Sequence, residues 1–249
     1  MRATIYGVKP SPPTHTARLM AEHKGIDHKM VWLLPGLHAA TVHARGFRGS
    51  TVPAMKLNGK RYQHSREISR ALEDAAAGPR LFPEAPHHRL EVEEAERWGE
   101  EVLQGAPRRI YRWLASHRIE YRVQLAREVG LPAPELAGHL NTPVAKFMAR
   151  RSGATDQRVQ ATLGLLPALL DRVEQLISQS VIGDPEHPNA ADFQIVTTVR
   201  ALLTSEDIAR LVEGRRSARW AMELMPEFPG RVPAGLPPDW LEPLRAARG

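Results

Sequence analysis

Hydrophobic residues recur along this chain in two rhythms, and the change from one to the other predicts its organisation. Up to about residue 78, short β-like runs alternate with helical segments. Thr4-Ile5-Tyr6 predicts a strand, Ser11 to Lys24 a helix, and Met30-Val31-Trp32-Leu33-Leu34 a second, buried strand. The helix has marked ends: Ser11 at the N-cap, Pro12 at the first turn, and Gly25 beyond the last turn, followed by apolar Ile26. Ala54 to Leu57 and Lys60 to Gln63 flank Asn58-Gly59, a pair that favours the type I′ turn of a two-residue hairpin. Ser65 is then expected to cap a helix running to about Ala76. The order β-α-β, a connecting segment, then β-β-α predicts a small sheet with parallel and antiparallel strands and helices on its faces.

Beyond residue 88 the period is helical throughout. Helices are expected at about Arg89 to Gln104, Pro107 to Val129, Pro143 to Arg150, Thr155 to Ser180 and Ala190 to Leu203, with a shorter one after Ser205. Val159, Leu163, Leu166, Leu170, Val173 and Ile177 recur at threes and fours, which marks a buried face. Asn189-Ala190-Ala191-Asp192 has the form of a capping box, a polar N-cap with an acidic residue three positions later. Between the two regimes, Gly78 to Pro86 holds three prolines in nine residues, so no helix runs through it. The expected division is residues 1–78, a linker at 79–88, and a helical part at 89–249 whose Pro-rich tail, Pro226 to Pro243, packs over its helices.

Composition narrows the chemistry. At 249 residues the chain is long enough for one large domain or two modest ones, each with its own core. It has no cysteine, so disulfides, thiolate metal sites and protein-thiol nucleophiles are excluded. No apolar run reaches the length of a membrane span, and Met1 to Lys9 lacks the apolar core of a secretory signal, so the expected compartment is the cytoplasm, with no membrane partner. The net charge of +6 favours anionic ligands, yet the 34 basic residues are scattered among 28 acidic ones, and no nucleic-acid motif is present. His87 and His88 diverge on a helix and have no acidic partner set, so no metal site is expected.

Six ordered motifs together resemble the glutathione S-transferase family. They are Ser11-Pro12, Lys24-Gly25-Ile26, Thr51-Val52-Pro53-Ala54, Gln63-His64-Ser65-Arg66-Glu67-Ile68, Leu81-Phe82-Pro83 and Ala191-Asp192-Phe193. The resemblance spans nearly the whole chain and is greatest to the serine-type, bacterial branches. It implies a thioredoxin-like N-terminal domain followed by an all-helical one, a homodimer, and an enzyme that conjugates a thiol to an electrophile in detoxification. No resident cofactor is implied; glutathione, or another low-molecular-weight thiol, is the co-substrate. A glutathione-dependent isomerase or dehalogenase, and a non-catalytic ligand carrier or scaffold, are the alternatives on the same fold.

The residues can be weighed beside the resemblance. Such chemistry needs a thiolate at neutral pH, whereas a free thiol with a pKa of about 8.5 is mostly protonated there. A hydroxyl from Ser11 at a helix N-terminus, where free N–H groups and the macrodipole favour negative charge, stabilises S⁻. Tyr6 is the rival donor, though an aromatic there also reads as core. By resemblance, Val52 holds the ligand's cysteinyl backbone: if the bond to Pro53 is cis, the Val52 backbone groups point outwards to an extended peptide. Ser65 lies under the γ-glutamyl carboxylate, again at a helix start. His64 departs from the family's Gln, Glu or Asp, and Thr51 from a basic residue found nearby in some members, for which His38, His43 and Arg45 are the candidate replacements. The second substrate is expected against Arg108, Tyr111, Arg112 and Trp113.

Overall fold

The computed structural model describes residues 2–247. Met1, Arg248 and Gly249, which close the expected 1–78 and 89–249 divisions, lie outside the described residues. By internal contacts the chain forms two compact units, residues 1–101 with 176–198, and 102–175 with 199–249.

The first unit is built on a four-stranded sheet. Its strands are β1 (Arg2–Gly7), β2 (Asp27–Trp32), β3 (Ala54–Leu57) and β4 (Lys60–Gln63), in the order β2-β1-β3-β4. β1 runs parallel to β2 and antiparallel to β3, and β3 pairs antiparallel with β4. This is the mixed sheet that the β-α-β, β-β-α order predicts, and it fits the thioredoxin-like domain that the resemblance implies. Asn58 and Gly59 both take positive φ, 49° and 79°, as a type I′ turn requires. The second strand differs from expectation: it starts at Asp27 and is largely half-buried or exposed, because β2 is an edge strand.

Helices α1 (Pro12–His23) and α3 (Ser65–Ala75) pack on each other beside this sheet, and a short helix α2 (His38–Ala44) occupies the connecting segment. The seven residues of α2 carry a single buried side chain, Val42, too little periodicity to announce a helix. Gly25 closes α1 with φ 64°. Ser65 is a correction: it is the first helical residue of α3, His64 holds the cap position, and no side chain caps this end. Helix α4 (Pro86–Trp98) continues through a π-helical turn, Gly99–Leu103. The late residues 176–198 complete this unit, where Thr16 Oγ1 meets Thr197 Oγ1 at 2.8 Å and Ala190 N–H donates to Leu81 O at 2.9 Å.

The second unit is helical. The expected single helix Pro107 to Val129 is two, α5 (Gly105–His117) and α6 (Ile119–Glu128), broken where Arg118 adopts extended dihedrals. Then come α7 (Pro134–Leu140), α8 (Thr142–Arg151) and α9 (Asp156–Ser178), whose six apolar repeats are all buried. Helix α10 (Ala190–Leu203) belongs to the first unit up to residue 198 and to this one from 199, and α11 (Glu206–Val212), α12 (Arg216–Leu224) and α13 (Glu242–Ala246) follow. The Pro-rich tail lies along the helices of this unit. Gly235 and Leu236 N–H donate to Asp207 at 2.7 and 2.9 Å, and Arg118 Nε donates to Gly235 O at 2.7 Å.

Candidate functional site

Sheet register gathers the N-terminal candidates at one end of the first unit. Tyr6 pairs with Ala54, and Ala54 with Gln63, so the end of β1, the start of β3 and the end of β4 form one row. Val52-Pro53 precedes that row and His64-Ser65 follows it. The Val52–Pro53 peptide is cis, and His64 N–H donates to Pro53 O at 3.2 Å. Gln63 anchors the approach: its Oε1 accepts Gly49 N–H at 2.6 Å and its Nε2 donates to Thr51 O at 3.2 Å. Neither backbone group of Val52 has a hydrogen-bond partner among the described residues.

Ser11 sits on a short loop held at three points. Its N–H donates to Val8 O at 3.0 Å, Thr14 Oγ1 accepts Val8 N–H at 3.3 Å, and His15 Nε2 lies 2.6 Å from Lys9 O. A carbonyl only accepts, so His15 carries its proton on Nε2. The ring is buried, 3% exposed, and burial pushes its pKa down to about 4 against the raising effect of the Lys9 carbonyl. Gly7 makes the loop possible, since a Cβ there would lie 2.0 Å from Thr14 Cγ2. The half-buried Ser11 makes no side-chain capping bond. Pro12 and Pro13 have no N–H, so the free backbone donors expected at this helix start are absent and the Ser11 hydroxyl is the donor it offers.

Tyr6, the rival, is buried in a core cluster with Val42, Phe47 and Ala54, its ring edge-on to Phe47 at 5.6 Å. Ser65 is fully buried, and its hydroxyl donates to Glu100 Oε1 at 3.0 Å. Glu100 lies on the π-helical turn, and Arg66 pairs with Glu101 at 3.0 Å and approaches Glu100 at 3.8 Å. Sequence reasoning missed Glu100 because a π-turn shifts the helical phase by one residue, which no periodicity announces. The side chain of His64 is exposed, and its backbone, φ 66° and ψ 146°, occupies a region that costs a non-glycine residue about 1–3 kcal/mol. An open groove of about 610 Å³ runs between the β3–β4 hairpin and α3, lined by Tyr62, Arg66 and Arg70 among others; its lining does not include Ser11, Val52 or Ser65.

The second-substrate candidates belong to the other unit. Trp113 is buried, donates Nε1–H to Asp156 at 2.7 Å, and packs against Trp240 with centroids 5.0 Å apart. The Tyr111 hydroxyl donates to Ala201 O, and burial pushes its pKa up. Both are committed to internal packing, while Arg108 is exposed and Arg112 half-buried. Among the described residues no group of three or more acidic or His side chains is placed to hold a metal ion, and no helix is long and apolar enough to cross a membrane.

Residues 5–80 match the glutathione S-transferase N-terminal domain family. That stretch of the chain is glutathione S-transferase-like. No curated protein matches the chain's sequence, but solved structures do match its fold. The β-etherase LigF from Sphingobium sp. strain SYK-6 is 18% identical with a TM-score of 0.60, over 90% of this chain and 99% of that one. A diazinon-metabolizing glutathione S-transferase of the silkworm Bombyx mori is 15% identical, TM-score 0.55, over 100% and 98%. A glutathione S-transferase-like protein from Pseudomonas syringae is 18% identical, TM-score 0.54, over 95% and 70%. These likenesses extend the transferase-like fold, including its helical C-terminal domain, beyond residue 80.

Proposed function

We propose that the chain binds glutathione or an analogous small thiol and transfers it to an electrophile. The observation that carries this reading is the free backbone edge of Val52, set in register with the start of α3 and the end of β1 by the His64–Pro53 bond. An extended peptide pairs with Val52, and the first-turn N–H groups of α3, which lack intrahelical acceptors, bind its carboxylate. Glu100 supplies the acid that His64 lacks: a carboxylate 3.0 Å from the Ser65 hydroxyl accepts the ligand's ammonium. The Ser11 hydroxyl donates to the thiolate. The sulfur attacks the electrophilic carbon, the C–S bond forms, and the leaving group departs with the bonding pair of the bond that breaks. In this reading the protein works as a homodimer in the cytoplasm, in detoxification.

The test is a difference-absorbance titration with reduced glutathione between about pH 5 and 9. Thiolate forming well below the free-thiol pKa of about 8.5, and lost in Ser11→Ala, is expected. Binding without thiolate would favour a carrier role, a reading to which the engagement of the Ser65 hydroxyl by Glu100 lends weight. Absence of binding rules out glutathione as the thiol.

A further inference from the structure

A single residue, Asn141, with near-helical dihedrals of φ −77° and ψ −3°, separates α7 from α8; its N–H closes α7 on Ala137 O at 3.0 Å and its carbonyl accepts Ala145 N–H, in the first turn of α8, at 2.9 Å. Pro143 cannot donate to His139 O, and the Thr142 hydroxyl takes its place at 2.8 Å. Positions along 134–151 can therefore be compared on a single 3.6-residue wheel.

Its amphipathicity is inverted. The buried positions are small, Gly138, Ala145 and Ala149, and a Cβ on Gly138 would lie 2.8 Å from Val123 of α6. The large apolar side chains point outwards: Leu136, Leu140, Val144 and Phe147 are 58, 70, 43 and 59% exposed. They fall within about 80° of the wheel, so they form one row, flanked by exposed His139, Lys146 and Arg150 and extended by Arg151. Residues 136–155 contain no Asp or Glu, and Glu135, just before them, is held by Arg127 at 2.5 Å.

We propose that this outer face docks on an anionic lipid bilayer, the apolar row entering the headgroup region and Lys146, Arg150 and Arg151 meeting the lipid charges. Charge complementarity chooses this occupant. A second copy related by a twofold axis through this face would set these cations against one another with no acid between them. The face also carries neither Trp nor Tyr, the side chains that with Arg dominate protein hot spots. Such docking is peripheral and departs from the expectation of no membrane partner, which rested on the lack of an apolar run long enough to span a bilayer.

Vesicle flotation of the full chain tests it, using phosphatidylcholine alone and with about 30% phosphatidylserine. Binding to the anionic vesicles at low salt, release at high salt and no binding to neutral ones are expected. Lys146→Gln with Arg150→Gln should lower partitioning about thirtyfold, and Leu140→Glu with Phe147→Glu about tenfold or more. Both double variants replace exposed side chains and should melt with the parent. A parent protein that ignores anionic vesicles overturns the proposal, and retention on an acidic polypeptide would then assign the face to a protein. Vesicle binding unchanged in both variants overturns it as well.

Discussion

Helices α10 and α3 begin in opposite ways. At α10 every part of the capping box is closed: Asn189 Oδ1 accepts the N–H of Ala191 at 2.9 Å and of Asp192 at 3.2 Å, and the Asp192 carboxylate accepts Asn189 and Gly183 N–H at 2.9 and 2.7 Å. Burial nevertheless pushes Asp192 up to about 7 against those donors, as expected of a carboxyl sealed from solvent. At α3 the cap residue is strained, no side chain caps the end, and the one nearby hydroxyl turns away to Glu100. The closed start holds the fold together, whereas the open one keeps donors for something else. Helix α1 is a third kind, stripped of two N–H groups by proline and left with an uncommitted serine.

Substitutions should separate these roles. The largest effect is expected for Ser11→Ala, a loss of about a hundredfold or more in conjugation rate with an unchanged melting temperature, read with a chromogenic electrophile. Equal activity in Ser11→Ala, with loss in Tyr6→Phe, would transfer the donor role to Tyr6.

Next comes pH. His15 has its pKa lowered from 6.5 to about 4, so its stabilising contribution is complete above about 6.5. It is lost as pH falls towards 4, because the unfolded chain takes the proton first. That loss is about 3 kcal/mol, and His15→Gln should flatten stability over this window in denaturant titrations.

At the closed start, Asn189→Ala should cost about 1–2 kcal/mol and a few degrees of melting temperature while thiol binding stays unchanged. The smallest effect is expected for Ser65→Ala: thiol affinity several-fold weaker by calorimetry, with stability shifted by less than about 1 kcal/mol. If Ser65→Ala instead melts as Asn189→Ala does and binds normally, the contrast between the two helix starts collapses.

The sequence made the sheet and hairpin legible because their signals are local: Asn58-Gly59 fixes a turn and Gly25 ends a helix whatever surrounds them. It also made Ser11, Val52 and Ser65 legible as candidates. What it hid depends on tertiary placement. Glu100 is re-aimed by a π-turn, and Tyr111 and Trp113 look like free surface until Ala201 and Asp156 engage them. The break at Arg118 is equally invisible, since apolar periodicity continues across it. The basic, acid-free face of α7 and α8 was obscured by averaging charge over the whole chain.

The first unit is assembled from two distant lengths of chain, since residues 176–198 complete what residues 1–101 begin. During synthesis the sheet and its first helices emerge early, but the segment bearing Thr197 and Phe193, which Thr16 and His23 contact, is the better part of a hundred residues behind. At translation rates of roughly 5–20 residues per second, that interval lasts seconds. A nascent chain halted near residue 101 therefore carries an uncovered α1, a surface for chaperones in the cell and a hazard to anyone expressing the N-terminal part alone.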